Sequence, residues 1–154
     1  VIGGASGALP PVIGWAIATN GISLEPIILF LIIFIWTPSH FWALSSYKTE
    51  DYIKAKIPMM PITSGIKNTK ANILIYSALL FVVSLAPFFL NFSGLIYLIV
   101  SFILGFYYLF IAYELFKAKK VSSERKLAHK LFGFYIFYLF ILFVTVLIDN
   151  VLTY

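Results

Sequence analysis

Three long stretches of the sequence carry no Asp, Glu, Lys or Arg side chain, at residues 26–47, 71–113 and 131–148. A helix needs about 20 mostly apolar residues to cross roughly 30 Å of hydrocarbon. The second stretch is about twice that length, and an Asn-Phe-Ser-Gly turn signal at 91–94 divides it. The pattern therefore predicts four membrane spans, which cover 26–47, 71–90, 95–113 and 131–148.

The first 19 residues are also free of charged side chains, but Pro10 and Pro11 interrupt them. Proline removes a backbone donor, so we expect a fifth span at about 1–19 that is kinked or broken at this pair. Gly3 and Gly7 have the GxxxG spacing that permits close helix approach, although loose, flexible packing would use the same glycines. About five spans predict an all-α fold, a multi-pass transmembrane helical bundle.

The composition supports a membrane protein and excludes an ordinary soluble domain. Of the 154 residues, 62% are hydrophobic and 19% are aromatic, and the mean hydropathy is +1.00. The chain has no cysteine, which excludes disulfides, thiolate metal sites and covalent heme attachment through a CxxCH motif. It begins with Val1, and its two methionines are Met59 and Met60. We therefore expect a piece of a longer protein, without a cleavable signal segment at its start.

All eleven basic residues lie in two segments, 48–70 and 114–130, whereas the connections at about 20–25 and 91–94 carry none. Basic loops that alternate with loops without basic residues match the positive-inside rule. The rule predicts that both basic loops are cytoplasmic and that the C-terminus lies outside. This topology also accounts for the net charge of +5, so the charge predicts no nucleic-acid partner.

The segment that follows the span at 26–47 contains an adjacent pair of acids, Glu50 and Asp51. Three lysines and two tyrosines surround the pair: Lys48, Lys54, Lys56, Tyr47 and Tyr52. One interpretation is a solvated loop whose acids neutralise neighbouring lysines. The other is a site for a metal-bound phosphate, because Mg²⁺ prefers one or two carboxylates with phosphate oxygens, and lysines bind phosphates as point charges. The residues alone leave both interpretations open.

His40 lies inside the span at 26–47, near the same end as the acidic pair. Ionisable side chains at this depth are costly and often functional, and Pro38 frees a backbone carbonyl that opens room beside the histidine. The alternative is a histidine whose polar atoms are satisfied by a neighbouring helix. His129, at the start of the last span, is expected at the surface.

Three segments resemble the C-terminal half of the protoheme IX farnesyltransferase (heme O synthase) family, a branch of the UbiA superfamily of intramembrane prenyltransferases. They are "GGASGALPPVIGW" (3–15), "EPIILFLIIFIWTPSHFWALSSYKTEDYIKAKIPMMP" (25–61) and "KLAHKLFGFYIF" (126–137). Residues 71–120 are generic apolar helix. The resemblance implies that residues 1–154 are the C-terminal part of one UbiA-type domain, within a membrane bundle of about nine helices.

This resemblance implies an enzyme that joins the farnesyl group of farnesyl diphosphate to a vinyl group of protoheme IX and so makes heme O. Heme b is then a substrate, and Mg²⁺ is the cofactor that holds the diphosphate. The other implied partners are membrane lipids and, as the next enzyme on the route to heme A, heme A synthase. The implied location is a bacterial inner membrane.

In the superfamily, the Mg²⁺-diphosphate lies between two acidic motifs, and the second corresponds to residues 47–51. Asp51 matches the most dependable acid of that motif, and Glu50 stands where many relatives carry another Asp. Both are the expected metal ligands and catalytic residues. Tyr47 departs from the superfamily, which often has an acid there, and this weakens the case for a two-carboxylate clamp from this loop. The first motif belongs to the family's N-terminal half, so we expect this chain to be inactive alone.

The other expected site residues bind the substrates. His40 is a candidate axial ligand or positioning group for the heme iron. Lysines would offset the charge on the departing diphosphate, and aromatic faces would stabilise an allylic cation. These lysines and rings are Lys48, Lys54, Lys56, Trp42, Tyr47 and Tyr52.

Two rival functions remain at this point. The first is a UbiA-type prenyltransferase that acts on a quinone or chlorophyll precursor, against which the "TPSHFWAL" stretch at 37–44 favours heme. The second is a non-enzymatic transporter or assembly subunit. Transporters usually place their polar site near the middle of the bilayer, whereas the acids here cluster at one face.

Overall fold

The computed structural model describes residues 2–153, and the side chains of residues 3–151. Within this range the chain forms eight helices and no strand. In chain order they are α1 (Ile2–Ala8), α2 (Pro10–Thr19), α3 (Leu24–Tyr47), α4 (Thr49–Lys54), α5 (Met60–Thr63), α6 (Gly65–Phe89), α7 (Leu95–Lys117) and α8 (Val121–Thr153). Among them, α3, α6, α7 and α8 are long and apolar enough to cross a membrane. The chain is a multi-pass membrane protein with an all-α bundle, as the sequence predicts.

Three of the four long helices, α6, α7 and α8, extend beyond the predicted spans at the end that carries the basic residues, here called the basic end. Helix α6 begins at Gly65, six residues before the predicted start, and α7 continues to Lys117. Because α8 begins at Val121, only residues 118–120 separate α7 from α8. The predicted loop at 114–130 is therefore mostly helix. Charged side chains do not end a helix that has left the hydrocarbon.

Residues 1–19 do not form one membrane-length helix within the described part of the chain. The chain is helical over α1 and α2, with an interruption at Leu9, whose carbonyl accepts bonds from the Val12 and Ile13 amides at 2.9 and 3.1 Å. Pro10 and Pro11 occupy the first positions of α2, where their missing amide hydrogens cost nothing. The expected break at the prolines is confirmed. Each of the two short helices is too short to cross a membrane alone, and a fifth span made of both stays a prediction.

The predicted glycine pair does not make the close contact in this segment. A Cβ atom added at Gly3 or Gly7 would meet nothing within 4 Å, whereas one at Gly4 would lie 3.4 Å from Thr37 Cγ2. Helix α1 therefore approaches α3 through Gly4. The spacing argument identified the correct helix but the wrong face of it.

Four fully buried tyrosines fill the space between α6, α7 and α8, and we call this region the tyrosine core: Tyr97, Tyr108, Tyr135 and Tyr138. The Tyr97 hydroxyl donates to the Ser84 carbonyl at 2.7 Å. The Tyr108 hydroxyl donates to the Ser77 carbonyl at 3.0 Å. A bilayer offers no water to such groups, so these two bonds satisfy the Tyr97 and Tyr108 hydroxyls and join α7 to α6.

Polar contacts join α6 to α8 at one end of the bundle and α7 to α8 at the other. At the basic end, Lys70 of α6 pairs with Glu124 of α8, and its Nζ donates to the carbonyl of Ala118 at 2.7 Å. At the opposite end, Asp149 Oδ2 of α8 accepts the amide hydrogens of Gly94 and Tyr97 at 2.5 and 3.1 Å, which caps α7. These contacts fix the frame that carries the candidate site.

Candidate functional site

The acidic pair lies on a short surface helix that continues from the basic end of α3. The Lys48 amide donates to the Leu44 carbonyl at 2.8 Å, and the Thr49 hydroxyl donates to the Ser45 carbonyl at 2.8 Å. These bonds join the first turn of α4 to the last turn of α3. Helix α4 has no buried residue: Thr49 and Tyr52 are half-buried, and the other four residues are exposed.

Glu50 and Asp51 take part in different ion pairs. Asp51 Oδ2 lies 3.2 Å from Lys48 Nζ, whereas Glu50 pairs with Arg125 on α8. Consecutive positions on a helix project about 100° apart, which explains why two adjacent carboxylates do not converge. Their side chains are 66% and 62% exposed. In the part of the chain that the structure describes, no group of three or more metal-binding side chains occurs.

These carboxylates fit a partial site for Mg²⁺. The ion takes oxygen ligands, is usually held by one or two carboxylates, and keeps water and substrate phosphate oxygens in its other positions. Asp51 and Glu50 are exposed, and Lys48 lies beside them. A phosphorylated ligand would have to supply further oxygens, because two carboxylates that face apart cannot fill an octahedral site.

His40 is packed between aromatic rings and faces α8. Its imidazole stacks on Trp36 at 4.3 Å and on Phe132 at 4.6 Å between ring centroids. The residue is only 8% exposed, and its Nδ1 atom is buried without a hydrogen-bond partner among the described residues. No ring contact or hydrogen bond joins it to the acidic loop within that part of the chain.

Trp42 lies on another side of α3, because two positions along a helix differ by about 200°. Its ring meets Tyr76 of α6 edge-on, with 5.1 Å between centroids. It also lines an apolar cavity of about 430 Å³ between α1, α3 and α6, which we call the α1–α3 cavity. The lining residues are Gly3, Gly4, Phe34, Thr37, Pro38, Phe41, Trp42 and Tyr76. Pro38 therefore borders open space, but on a side of α3 away from His40.

The other expected site residues occupy separate surroundings. Tyr47 contacts the ring of exposed His129 at 4.5 Å, and Lys48 Nζ lies 5.6 Å from the centre of the Tyr47 ring. Tyr52 and Lys56 line a small cavity of about 210 Å³. Lys54 is exposed at the end of α4. Trp42 and Tyr52 thus line different cavities.

The sequence argument missed the partner of Glu50. Arg125 is the only arginine of the sequence, and it follows Glu124 in a segment otherwise dominated by lysine. An isolated arginine is suited to a carboxylate, since its planar group presents paired donors. That signal alone gave no indication of which acid it would bind.

A model of the family described as "UbiA prenyltransferase family" matches residues 1–141. A protein of Pelagibacter ubique (strain HTCC1062) named protoheme IX farnesyltransferase is 57% identical over 152 residues, which cover 99% of this chain and 50% of that protein. Proteins of the same name from Rickettsia massiliae (strain Mtu5) and Parvibaculum lavamentivorans (strain DS-1) are 53% and 46% identical, over 99% of this chain and 49% and 48% of their own length.

The chain spans about half the length of the curated relatives it matches. No solved structure matches it. The family model covers most of the chain, from α1 into α8, and includes the acidic loop and the aromatic surroundings of His40. The chain therefore belongs to the UbiA prenyltransferase family.

Proposed function

We propose that this chain supplies the acidic-loop half of an enzyme that transfers the farnesyl group of farnesyl diphosphate to a vinyl group of protoheme IX, giving heme O. The relatives that match 99% of the chain carry the corresponding name. The observation that carries the proposal is the exposed carboxylate of Asp51 at the basic end, beside the Lys48 ammonium. Metal-bound diphosphates require both kinds of charge.

Asp51 is the proposed principal ligand of Mg²⁺, with Glu50 as a second acid next to it. When bound, Mg²⁺ would supply positive charge to the departing diphosphate. Lys48, Lys54 and Lys56 add positive charge at the same end, where it lowers the free energy of the leaving group. The vinyl carbon of heme forms the new carbon–carbon bond, water supplies the hydroxyl of the product, and diphosphate leaves.

The farnesyl chain is proposed to occupy the α1–α3 cavity. The cavity extends along α3 from Trp42 to Phe34, eight residues or about 12 Å of helix. Its lining is mostly apolar, so a hydrocarbon chain enters it from the bilayer without losing hydrophobic stabilisation. Trp42 stands at the end nearer to the acidic loop, where an aromatic face stabilises an allylic cation. Tyr47 and Tyr52 are alternative sources of such a face.

His40 is proposed as a heme contact. An imidazole binds iron through a nitrogen at the ring edge, so stacking on Trp36 and Phe132 does not by itself prevent coordination. Because Nδ1 is buried, Nε2 would be the ligand atom. The stack would then hold the imidazole plane in a defined orientation.

The proposed location is a bacterial inner membrane, with the basic end in the cytoplasm and the C-terminus outside. The distribution of lysines supports this orientation, since all eleven basic residues lie at one end of the bundle. Membrane lipids surround the long helices in this arrangement. Heme A synthase is the proposed partner that would receive the product.

The test joins this chain to the half of the Pelagibacter ubique relative that the match leaves out, and the product is called the chimera. The 57% identity favours correct packing between the halves. The chimera is purified and supplied with farnesyl diphosphate and heme b, with Mg²⁺ or with a chelator. We expect Mg²⁺-dependent release of diphosphate and a farnesylated, hydroxylated heme in the mass spectrum.

Two outcomes would contradict the proposal. Release of diphosphate with a quinone precursor but not with heme would favour the other type of prenyltransferase. No diphosphate release under any divalent ion would favour a transporter or assembly subunit.

The role of His40 has a test of its own. The heme absorbance of the purified chimera should be lost in His40→Ala, and unchanged heme binding and turnover in that variant would exclude the proposed role.

A further inference from the structure

Helix α4 carries the acidic pair but has few attachments of its own. None of its residues is buried. Its first turn follows α3 through the Thr49 hydroxyl bond to Ser45, and after Ala55 the chain turns at Lys56, which has a positive φ of 56°. These bonds set where α4 starts relative to α3, but none of them reaches α8.

Arg125 supplies the missing attachment. Its guanidinium Nη2 binds Glu50 Oε1, and among the described residues this is the ion pair that joins α4 to another helix. The side chains are 44% and 66% exposed, so the pair lies at the surface. It crosses 75 positions in sequence, from the acidic loop to the first turns of the last helix.

The part of α8 that carries Arg125 is firmly held. The preceding residue, Glu124, pairs with the buried Lys70 of α6. Ala128 and Leu131, one and two turns further on, are fully buried in the core. Arg125 thus reaches the acidic loop from a fixed backbone.

A second contact on the same face of α8 supports this arrangement. His129 lies four residues after Arg125, which places the two side chains one above the other. The His129 ring packs on Tyr47 at 4.5 Å, at the end of α3 from which α4 continues. One stripe of α8 therefore contacts Tyr47 and Glu50, the residues on either side of the junction between α3 and α4.

We propose that Arg125 is a positioning residue of the acidic loop: by binding Glu50 it holds α4 against α8, so that Asp51 presents its carboxylate to the metal-bound diphosphate. The consequence for Asp51 rests on the function proposed above, whereas the attachment of α4 to α8 does not. Glu50 then also acts through Arg125, while Asp51 stays the principal acid at the substrate.

The expected changes in stability and in reaction rate distinguish a positioning role of Arg125 from a stabilising one. An exposed ion pair typically contributes 0–1 kcal/mol to stability. A displacement of about 1 Å in a group that must be aligned with a substrate costs up to about a hundredfold in rate. Loss of Arg125 should therefore change catalysis much more than unfolding.

The first measurement is the distance between α4 and α8 and needs no substrate. The chain has no cysteine, so spin labels can be placed at Ile53→Cys on α4 and Ser122→Cys on α8, both at exposed positions, in a chimera whose added half has its cysteines replaced by serine. Pulsed electron paramagnetic resonance should give a narrow distance distribution. Arg125→Ala should broaden it, Arg125→Lys should give an intermediate width, and Lys126→Ala, an exposed neighbour, should leave it unchanged. The same width in Arg125→Ala as in the parent would overturn the proposal.

The second measurement is steady-state kinetics with farnesyl diphosphate and heme b in the unlabelled chimera. Arg125→Ala should lower kcat/KM for farnesyl diphosphate about tenfold while the midpoint of thermal unfolding moves by about 2 °C or less. Equal kcat/KM in Arg125→Ala and Lys126→Ala would overturn the positioning role. If the parent chimera releases no diphosphate, the proposed function fails, and the spin-label distances still decide whether Arg125 holds α4.

Discussion

The tyrosine core and the acidic loop use polar side chains in opposite ways. In the core, hydroxyl groups such as those of Tyr97 and Tyr108 are fully buried and bound to carbonyls of a neighbouring helix. In the loop, Glu50 and Asp51 are more than 60% exposed. Burial makes a polar contact a determinant of stability, while exposure at the membrane boundary leaves a charge available to a ligand. The buried polar groups of the tyrosine core therefore stabilise the fold, and the exposed charged groups of the acidic loop are the candidates for ligand binding.

The largest expected effect tests the structural side of this comparison. Lys70→Ala removes the partner of Glu124 and the donor to the Ala118 carbonyl. Breaking a buried ion pair from one side costs about 3–5 kcal/mol, because an uncompensated charge remains. We expect the free energy of unfolding in detergent to fall by that amount. The near-ultraviolet signal of the tyrosines measures the unfolding.

Two variants serve as controls for this loss. Lys67→Ala removes an exposed lysine one turn earlier on α6 and should change little. Lys70→Met combined with Glu124→Leu removes both charges and should recover most of the stability, since apolar pairs often replace buried ion pairs at little cost. A Lys70→Ala protein as stable as Lys67→Ala would show that the pair at the basic end is not structural.

Asp51→Asn tests the other side and should separate activity from stability. An amide keeps the shape of the side chain but loses the charge proposed to attract Mg²⁺, so turnover of the chimera should fall about 10²–10³-fold. The free energy of unfolding should stay within about 0.5 kcal/mol of the parent, since the residue is at the surface. Kinetics and unfolding are measured on the same preparation, with Lys67→Ala as the control for charge loss at this end. Full turnover in Asp51→Asn would contradict the metal site and favour a solvated loop whose acids only neutralise neighbouring lysines.

The smallest expected effect is the difference in stability between two glycine-to-alanine variants, which tests how closely α6 and α7 pack. A Cβ at Gly105 of α7 would lie 2.5 Å from Phe81 Cδ2 of α6, whereas one at Gly133 of α8 would meet nothing within 4 Å. Gly105→Ala should therefore destabilise the bundle by about 1–3 kcal/mol. Gly133→Ala should be neutral or slightly stabilising, because alanine favours a helix. Equal unfolding midpoints for the two variants would mean that α6 and α7 do not pack closely at this point.

The sequence predicted the long helices well because a charge-free stretch of membrane length leaves few alternatives. The prediction ended α3 at Tyr47 and placed a turn at 91–94, where Asn91 has a positive φ of 60°. It failed at the basic end, where α7 continues to Lys117 and α8 begins at Val121, ten residues before the predicted start. A search for uncharged residues finds the hydrocarbon-spanning part of a helix and not the turns that project into water.

The sequence identified the candidate site residues but not how they are arranged. Neighbours in sequence suggested that Glu50 and Asp51 act together, but a helical turn at 49–54 directs them to different partners. His40 and Trp42 likewise lie on different sides of α3. The contact between Glu50 and Arg125 depends on how α3 and α8 pack, and no local pattern encodes it.

The Asp149 cap has a consequence for how the protein is made. Gly94 and Tyr97 leave the ribosome well before Asp149, whose carboxylate binds their amides. A hairpin of α6 and α7 inserted during translation therefore has an incompletely capped α7 until the final helix joins it. The start of α7 is then capped by Asp149 only after α8 has been made and has packed against it.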